Sequence, residues 1–272
     1  MGAGVKVSID GGIARVVFDH PPINLFTFEQ FIETARIVEE LAVDDAVRVV
    51  LLSSANPDFF IAHFDVEAIL TFPSGQPPTT ELGPYHHMCE TLRTMPKATI
   101  AVIEGRVGGG GSELASSCDM RFASLPNGDH PGALFNQPEV ALGIIPGGSG
   151  TQRLARLLGR SRALEVVLGC DDIDARTAEA WGWINRALPQ DELWPFVERM
   201  ARRIASFPAH AVAEAKASVV RAEKDVEADL IAEWNAFARC LGGEGTREAM
   251  LKFLADGGQT REGELRLGAL FD

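Results

Sequence analysis

Residues 47–52 and 99–103 are nearly unbroken aliphatic runs, the pattern of strands buried on both faces of a sheet. Residues 5–9 and 13–18 flank Asp10-Gly11-Gly12 and predict a hairpin. Over residues 27–42 the period changes. Phe28, Phe31, Ile32, Ala35, Val38 and Leu41 recur at helical spacing, and Thr27 with Gln30 fits a capping box. Residues 71–84, rich in Pro, Gly and Thr, read as a loop within one folded unit, because core-forming segments continue on both sides. Beyond Gly150 helical patterning dominates: residues 151–158, 175–181, 191–206, 209–222 and 225–241. Strands and helices come first and helices last, an α/β arrangement with a helical C-terminal part.

Composition narrows the function. The 272 residues suffice for one large core. With 38 acidic against 25 basic residues the net charge is -13, which argues against a nucleic-acid partner and against an anionic membrane surface. Cys89, Cys118, Cys170 and Cys240 stand far apart and offer no metal-ligand spacing. The N-terminus lacks the apolar run of a secretory signal, and no stretch reaches the ~20 apolar residues of a membrane span. The expectation is a cytoplasmic protein with no metal.

Three segments carry candidate chemistry. In the first, the aliphatic run at 99–103 leads into Gly108-Gly109-Gly110-Gly111 and a helix beginning near Ser112 that contains Glu113. Amides at a helix N-terminus suit a phosphate or a developing oxyanion, and a tight strand-to-helix turn would use the same glycines. The spacing is neither a Walker A loop nor a good GxGxxG fingerprint. In the second, Gln137-Pro138-Glu139 precedes an apolar stretch and Pro146-Gly147-Gly148-Ser149-Gly150. A carboxyl in apolar surroundings holds its proton to higher pH, as acid/base work requires, though a glutamate after a turn also occurs at surfaces. In the third, residues 57–66 place Ala62, His63 and Phe64 before Asp65, which is positioned to cap a following helix.

Together these segments resemble the signatures of the crotonase (enoyl-CoA hydratase/isomerase) superfamily. The glycine segment is similar to its GGG-x-EL…CD motif, residues 137–154 to its QPE…PG-x-G-TQRL motif, and residues 59–65 to its F-x-A-G-x-D loop. The likeness extends over roughly residues 5–240. It implies a ClpP/crotonase-like α/β core of repeated ββα units, about residues 1–200, with a C-terminal helical region over 201–272. It also implies an acyl-CoA thioester substrate, no cofactor beyond the coenzyme A of that substrate, and a homo-trimer or dimer of trimers.

The resemblance gives the residues roles. The backbone N–H groups of Phe64 and Gly110 would form an oxyanion hole, and Glu113 and Glu139 would be the acid/base pair. Ala62, His63, Asp65, Gly109, Pro138 and Gly147 would contact substrate. The expected reaction is hydration of a 2-enoyl-CoA by a lyase. Isomerisation, decarboxylation, hydrolysis and non-catalytic acyl-CoA binding are alternatives on the same scaffold. A serine hydrolase using Ser112 or Ser149 is a further one, disfavoured because neither lies in GxSxG. Two departures stand out. His63 replaces a common glycine, which would strain the backbone if that position needed φ > 0. Glu67 stands where a lysine is common, leaving Arg93, Lys97 and Lys216 among the candidate phosphate contacts.

Overall fold

A computed structural model describes residues 4–271, so the first three residues of the core range 1–200 and Asp272 of the C-terminal range 201–272 lie outside the described residues. The N-terminal hairpin forms as its sequence predicts: β1 (Val5–Asp10) and β2 (Ile13–Phe18) pair antiparallel. Gly11 and Gly12 supply the positive φ of the turn, 56° and 79°.

Helix α1 (Phe28–Val43) starts at Thr27, whose hydroxyl accepts the Gln30 N–H at 3.3 Å. The capping box is half made, because the Gln30 amide is buried and unpartnered. The helix buries Phe31, Ile37, Val38 and Leu41. Phe28 and Ile32, expected inside, are 48% and 55% exposed. The buried stripe centres on Thr34 and Leu41, and at ~100° per residue Phe28 and Ile32 fall roughly 120–160° from its middle.

Three strand pairs then repeat one pattern. β3 (Val49–Ser54), β5 (Ala98–Ile103) and β7 (Met120–Ser124) enter a large sheet. Their successors β4 (Phe59–Ile61), β6 (Arg106–Gly108) and β8 (Leu134–Asn136) enter a small one. Helices follow each pair: α2 (Val66–Ile69) and α3 (Pro84–Thr94), then α4 (Gly109–Ser116), then α5 (Gly150–Leu158) and α6 (Arg160–Gly169). β9 (Ile173–Asp174), α7 (Ala175–Trp181) and β10 (Arg186–Leu188) complete the set. The sheet orders are β1-β2-β3-β5-β7-β10 and β4-β6-β8-β9, parallel except at β1 and β9. This is the ββα repetition that the resemblance implies.

The aliphatic runs are unbroken because both faces of the large sheet are covered. Val49, Leu51, Ile100 and Val102 pack on Leu193, Val197 and Ala201 of α8 (Gln190–Ala205). Val50, Leu52, Ala101 and Ile103 join the opposite core with Ile37, Met88 and Leu92. Four helices finish the chain: α9 (Ala209–Val220), α10 (Val226–Cys240), α11 (Thr246–Ala255) and α12 (Arg261–Glu264). Phe237, Met250 and Phe253 of this region form a separate apolar cluster with Val66, Leu142 and Ile144. No described helix is long and apolar enough to cross a membrane.

Candidate active site

The four glycines are shaped by close approach. Gly108 caps α4, which begins at Gly109, three residues earlier than the sequence predicts. A Cβ on Gly111 would lie 2.6 Å from the Cβ of Ile61, so the first turn of α4 rests directly on β4. Gly109 has φ 46°. In that first turn amides have no intrahelical acceptor, which leaves the Gly110 N–H available.

A second free amide lies beside it. Phe26 bridges the 62–65 loop: its N–H donates to the His63 carbonyl at 2.9 Å, and its own carbonyl accepts from Asp65 at 3.1 Å. Between them, the Phe64 N–H makes no hydrogen bond among the described residues. A Cβ on Gly110 would sit 3.6 Å from the Phe64 nitrogen. Two unpaired donors therefore stand together, in the arrangement that holds a developing oxyanion. His63 is not among the residues with positive φ, so the strain expected at this loop is absent. The Tyr85 hydroxyl donates to the Gly110 carbonyl at 2.5 Å and steadies the glycine turn, a role the sequence alone does not show.

Glu113 follows Gly110 by one helical turn and shares its face. Its Oε1 accepts the N–H groups of Gly148 and Gly150 at 2.8 and 2.9 Å. Its Oε2 has no partner among the described residues. Burial, and then the charge of Glu233, push its pKa up to about 8, against the pull of those two amides. Glu139 opens a 3₁₀ turn, Glu139–Leu142. The Gln137 amide, oriented as its surroundings require, donates to both Glu139 oxygens at 3.0 and 3.1 Å. Burial first, then the neighbouring charge of Glu113, holds the Glu139 proton well above the usual carboxylate range.

Glu233, on α10, is the acid that sequence reasoning misses. It is buried and accepts from Ser149 N–H (2.7 Å), the Thr151 hydroxyl, Gln152 N–H (3.2 Å) and His86 Nε2 (3.2 Å). It anchors the 148–152 turn, which in turn holds Glu113. Helical periodicity announces the helix but gives no sign that this one acid turns inward.

Both glutamates border an apolar cavity of about 400 Å³ with walls that include Phe31, Phe64, Phe72, Tyr85, Trp234 and Phe237. His63, Gly109, Gly110, Pro138 and Gly147 also border it. Phe28 lies at its exposed margin. Ala62 and Asp65 do not reach it. Ala62 is buried in a small cluster with Ile23 and Phe59. Asp65 caps α2, accepting the Glu67 N–H at 2.9 Å. Asp65→Ala should therefore lower stability by about 1 kcal/mol in a urea titration and leave substrate KM unchanged.

The basic candidates stand elsewhere. Lys97 donates to the Asp44 and Val47 carbonyls, Arg93 pairs with Glu90 and Glu223, and Lys216 pairs with Asp119. Among the described residues no Lys or Arg borders the cavity. Arg153 is buried against Glu90. Ser112 and Ser149 are buried and do not border the cavity, which removes the geometric basis for a serine nucleophile.

Comparison with known proteins identifies the family and the fold. A family model described as enoyl-CoA hydratase/isomerase matches residues 8–258. The chain is 31% identical over 248 residues to the short-chain-enoyl-CoA hydratase of Clostridium acetobutylicum, covering 90% of this chain and 92% of that one. It is 31% identical over 234 residues to the crotonyl-CoA hydratase of Syntrophomonas wolfei, covering 85% and 87%. The crystal structure of a candidate enoyl-CoA hydratase from Streptomyces avermitilis superposes with a TM-score of 0.88 at 37% identity, covering 100% of this chain and 98% of that one.

Proposed function

The chain belongs to the enoyl-CoA hydratase/isomerase family, and from that premise we propose that it adds water across the double bond of a 2-enoyl-CoA. The observation that carries this is the pairing, on one apolar cavity, of two free backbone donors with two carboxyls whose environments separate their roles. Glu113 is the base, because two amides favour its ionised form. Glu139 is the acid, because the Glu113 charge makes its own ionisation harder still.

The thioester carbonyl takes the N–H groups of Phe64 and Gly110. Glu113 removes a proton from water, and the hydroxyl bonds to C3. The π electrons move onto the carbonyl oxygen, where both amides stabilise the enolate. Glu139 gives its proton to C2 and the carbonyl re-forms. Glu113 ends protonated and Glu139 ionised, and a proton returned through solvent restores the pair. The step needs no metal and no cofactor beyond the coenzyme A of the substrate.

The proposal extends to a cytoplasmic enzyme that assembles as a trimer or dimer of trimers. The oligomer rests on the family resemblance, and size-exclusion chromatography with light scattering tests it: a monomer in solution would remove it. Crotonyl-CoA and longer 2-enoyl-CoAs provide the test, followed through loss of the conjugated-thioester absorbance. Turnover on the scale of ~1–10³ s⁻¹ is expected. Absence of turnover at every chain length, with acyl-CoA binding intact, would replace hydration with another reaction of the family or with binding alone.

A further inference from the structure

His63 stands in the loop that supplies the Phe64 N–H, and its ring is almost wholly enclosed. Nδ1 lies 2.8 Å from the Phe64 carbonyl and Nε2 lies 3.0 Å from Oε1 of Glu264. The carbonyl can only accept, so Nδ1 carries a hydrogen. An ionised Glu264 can also only accept, so Nε2 carries one too and the ring is an imidazolium. Glu264 is completely buried, and the same Oε1 accepts the Gln259 N–H at 2.7 Å. Gln259 also bonds the far side of the loop, its Oε1 accepting the Val66 N–H at 2.6 Å. The segment 259–264, remote in sequence, thus grips the oxyanion loop at two points.

We propose that Glu264, acting through the His63 ring it holds, is a positioning residue that fixes the Phe64 peptide as an oxyanion donor. The peptide whose N–H faces the cavity has the His63 carbonyl at its other end, held by Phe26. The next carbonyl, that of Phe64, is held by the His63 ring. Both peptide planes flanking Phe64 are therefore fixed, one by a backbone bridge and the other by the imidazolium.

The charged groups around the ring favour this state. Glu264 faces it from α12 and Asp65 from its own loop. Arg106 of β6 pairs with Asp172 and helps keep Glu264 ionised. From the 3₁₀ turn, Glu139 approaches across Gly109: a Cβ there would lie 3.0 Å from the His63 Cβ and 3.1 Å from Oε1 of Glu139. The edge of Phe253 closes the remaining side. Burial alone would lower the ring's pKa, but the charge of Glu264, the hydrogen bonds to Glu264 and to the Phe64 carbonyl, and then the charge of Asp65 together raise it.

The full-length chain labelled with ¹⁵N-histidine gives the first readout, with the His63 signals assigned by their loss in His63→Gln. At pH 8, where an ordinary imidazole is neutral, both His63 nitrogens are expected at protonated shifts. In Glu264→Gln one of them should lose its proton at that pH. Turnover supplies the second readout and rests on the hydratase reading: kcat for a 2-enoyl-CoA should fall about tenfold with KM unchanged. His63→Gly should give the same kcat loss, so a Glu264 variant that does not fold leaves the question answerable. An unprotonated nitrogen at pH 8 in the unsubstituted protein would overturn the proposal, as would an undiminished kcat in a folded variant. The nitrogen shifts require no substrate, so failure here and failure of the hydration reading are told apart.

Discussion

Glu113→Gln and Glu139→Gln should each lower kcat for hydration by about 10²–10⁴-fold, the usual contribution of a positioned acid or base. The two losses should not add, because neither half-reaction proceeds without the other. The unsubstituted enzyme should show kcat/KM rising with pH toward about 8, as Glu113 loses its proton, and falling at higher pH as Glu139 loses its own. These midpoints belong to the pair, which titrates as one unit.

Stability should move the other way. Glu113 has its pKa raised on folding from 4.5 to about 8. Between those values the folded chain binds the extra proton, so stability falls as pH rises through the window and levels off above it. The amide introduced by Glu113→Gln carries no charge, and its oxygen can still accept from Gly148 and Gly150. Urea denaturation of Glu113→Gln should match the unsubstituted protein near pH 4 and exceed it at pH 8, by an amount on the order of a few kcal/mol. A variant less stable at both pH values would show that the carboxylate is not a source of strain.

Gly148→Ala should be nearly as damaging as loss of Glu113 itself. Its new Cβ would stand 2.4 Å from Oε2 of Glu113 and 2.8 Å from the ring of Tyr85. Neither neighbour yields freely. The Glu113 carboxylate is tied at Oε1 by two amides, one of them from residue 148 itself, and Tyr85 is tied to Gly110. Relief therefore displaces the base from the water it activates, for which a misplacement of about 1 Å costs about 10²-fold. A kcat reduction of about 10²–10³-fold with a folded circular-dichroism spectrum is the expected result. Near-normal turnover would mean that the 148–150 turn moves without the carboxylate.

The chain reveals its framework through patterns that packing does not override. Helix α7 is readable to its ends, because Asp174 caps it and Gly182, at φ 86°, stops it. The aliphatic runs announce strands covered on both faces. The start of α4 is not readable, because glycine is a poor helix former and only contact with Ile61 reveals why it is used there. Helices α3 and α6 go unpredicted, α6 having a weakly segregated face, and α11 and α12 are foreseen only as part of a helical region over 201–272. The ββα repeat leaves no recognisable internal similarity along the chain.

At the site, Glu113 and Glu139 are legible through the family's motifs. Glu233 and Glu264 are not, because they arrive from distant helices with nothing local to mark them. The charge of Lys97 and Lys216 is equally uninformative about direction, since their acceptors are decided by tertiary structure, while Arg93 is drawn off by Glu90 on its own helix.

Trp234, Phe237 and Phe253 complete the cavity wall, and Glu233 anchors the turn that orients the base. All four lie at or beyond residue 233, whereas the two proposed oxyanion donors and the two proposed acid/base glutamates are encoded before residue 140. During synthesis, the reacting groups thus emerge well before the walls that dry them. A nascent chain halted after residue 225 would carry those groups and the Phe31, Phe64, Phe72 and Tyr85 side of the cavity without the wall that Trp234, Phe237 and Phe253 supply. Such a product would hold its reacting groups against an incomplete wall and is expected to turn over no thioester.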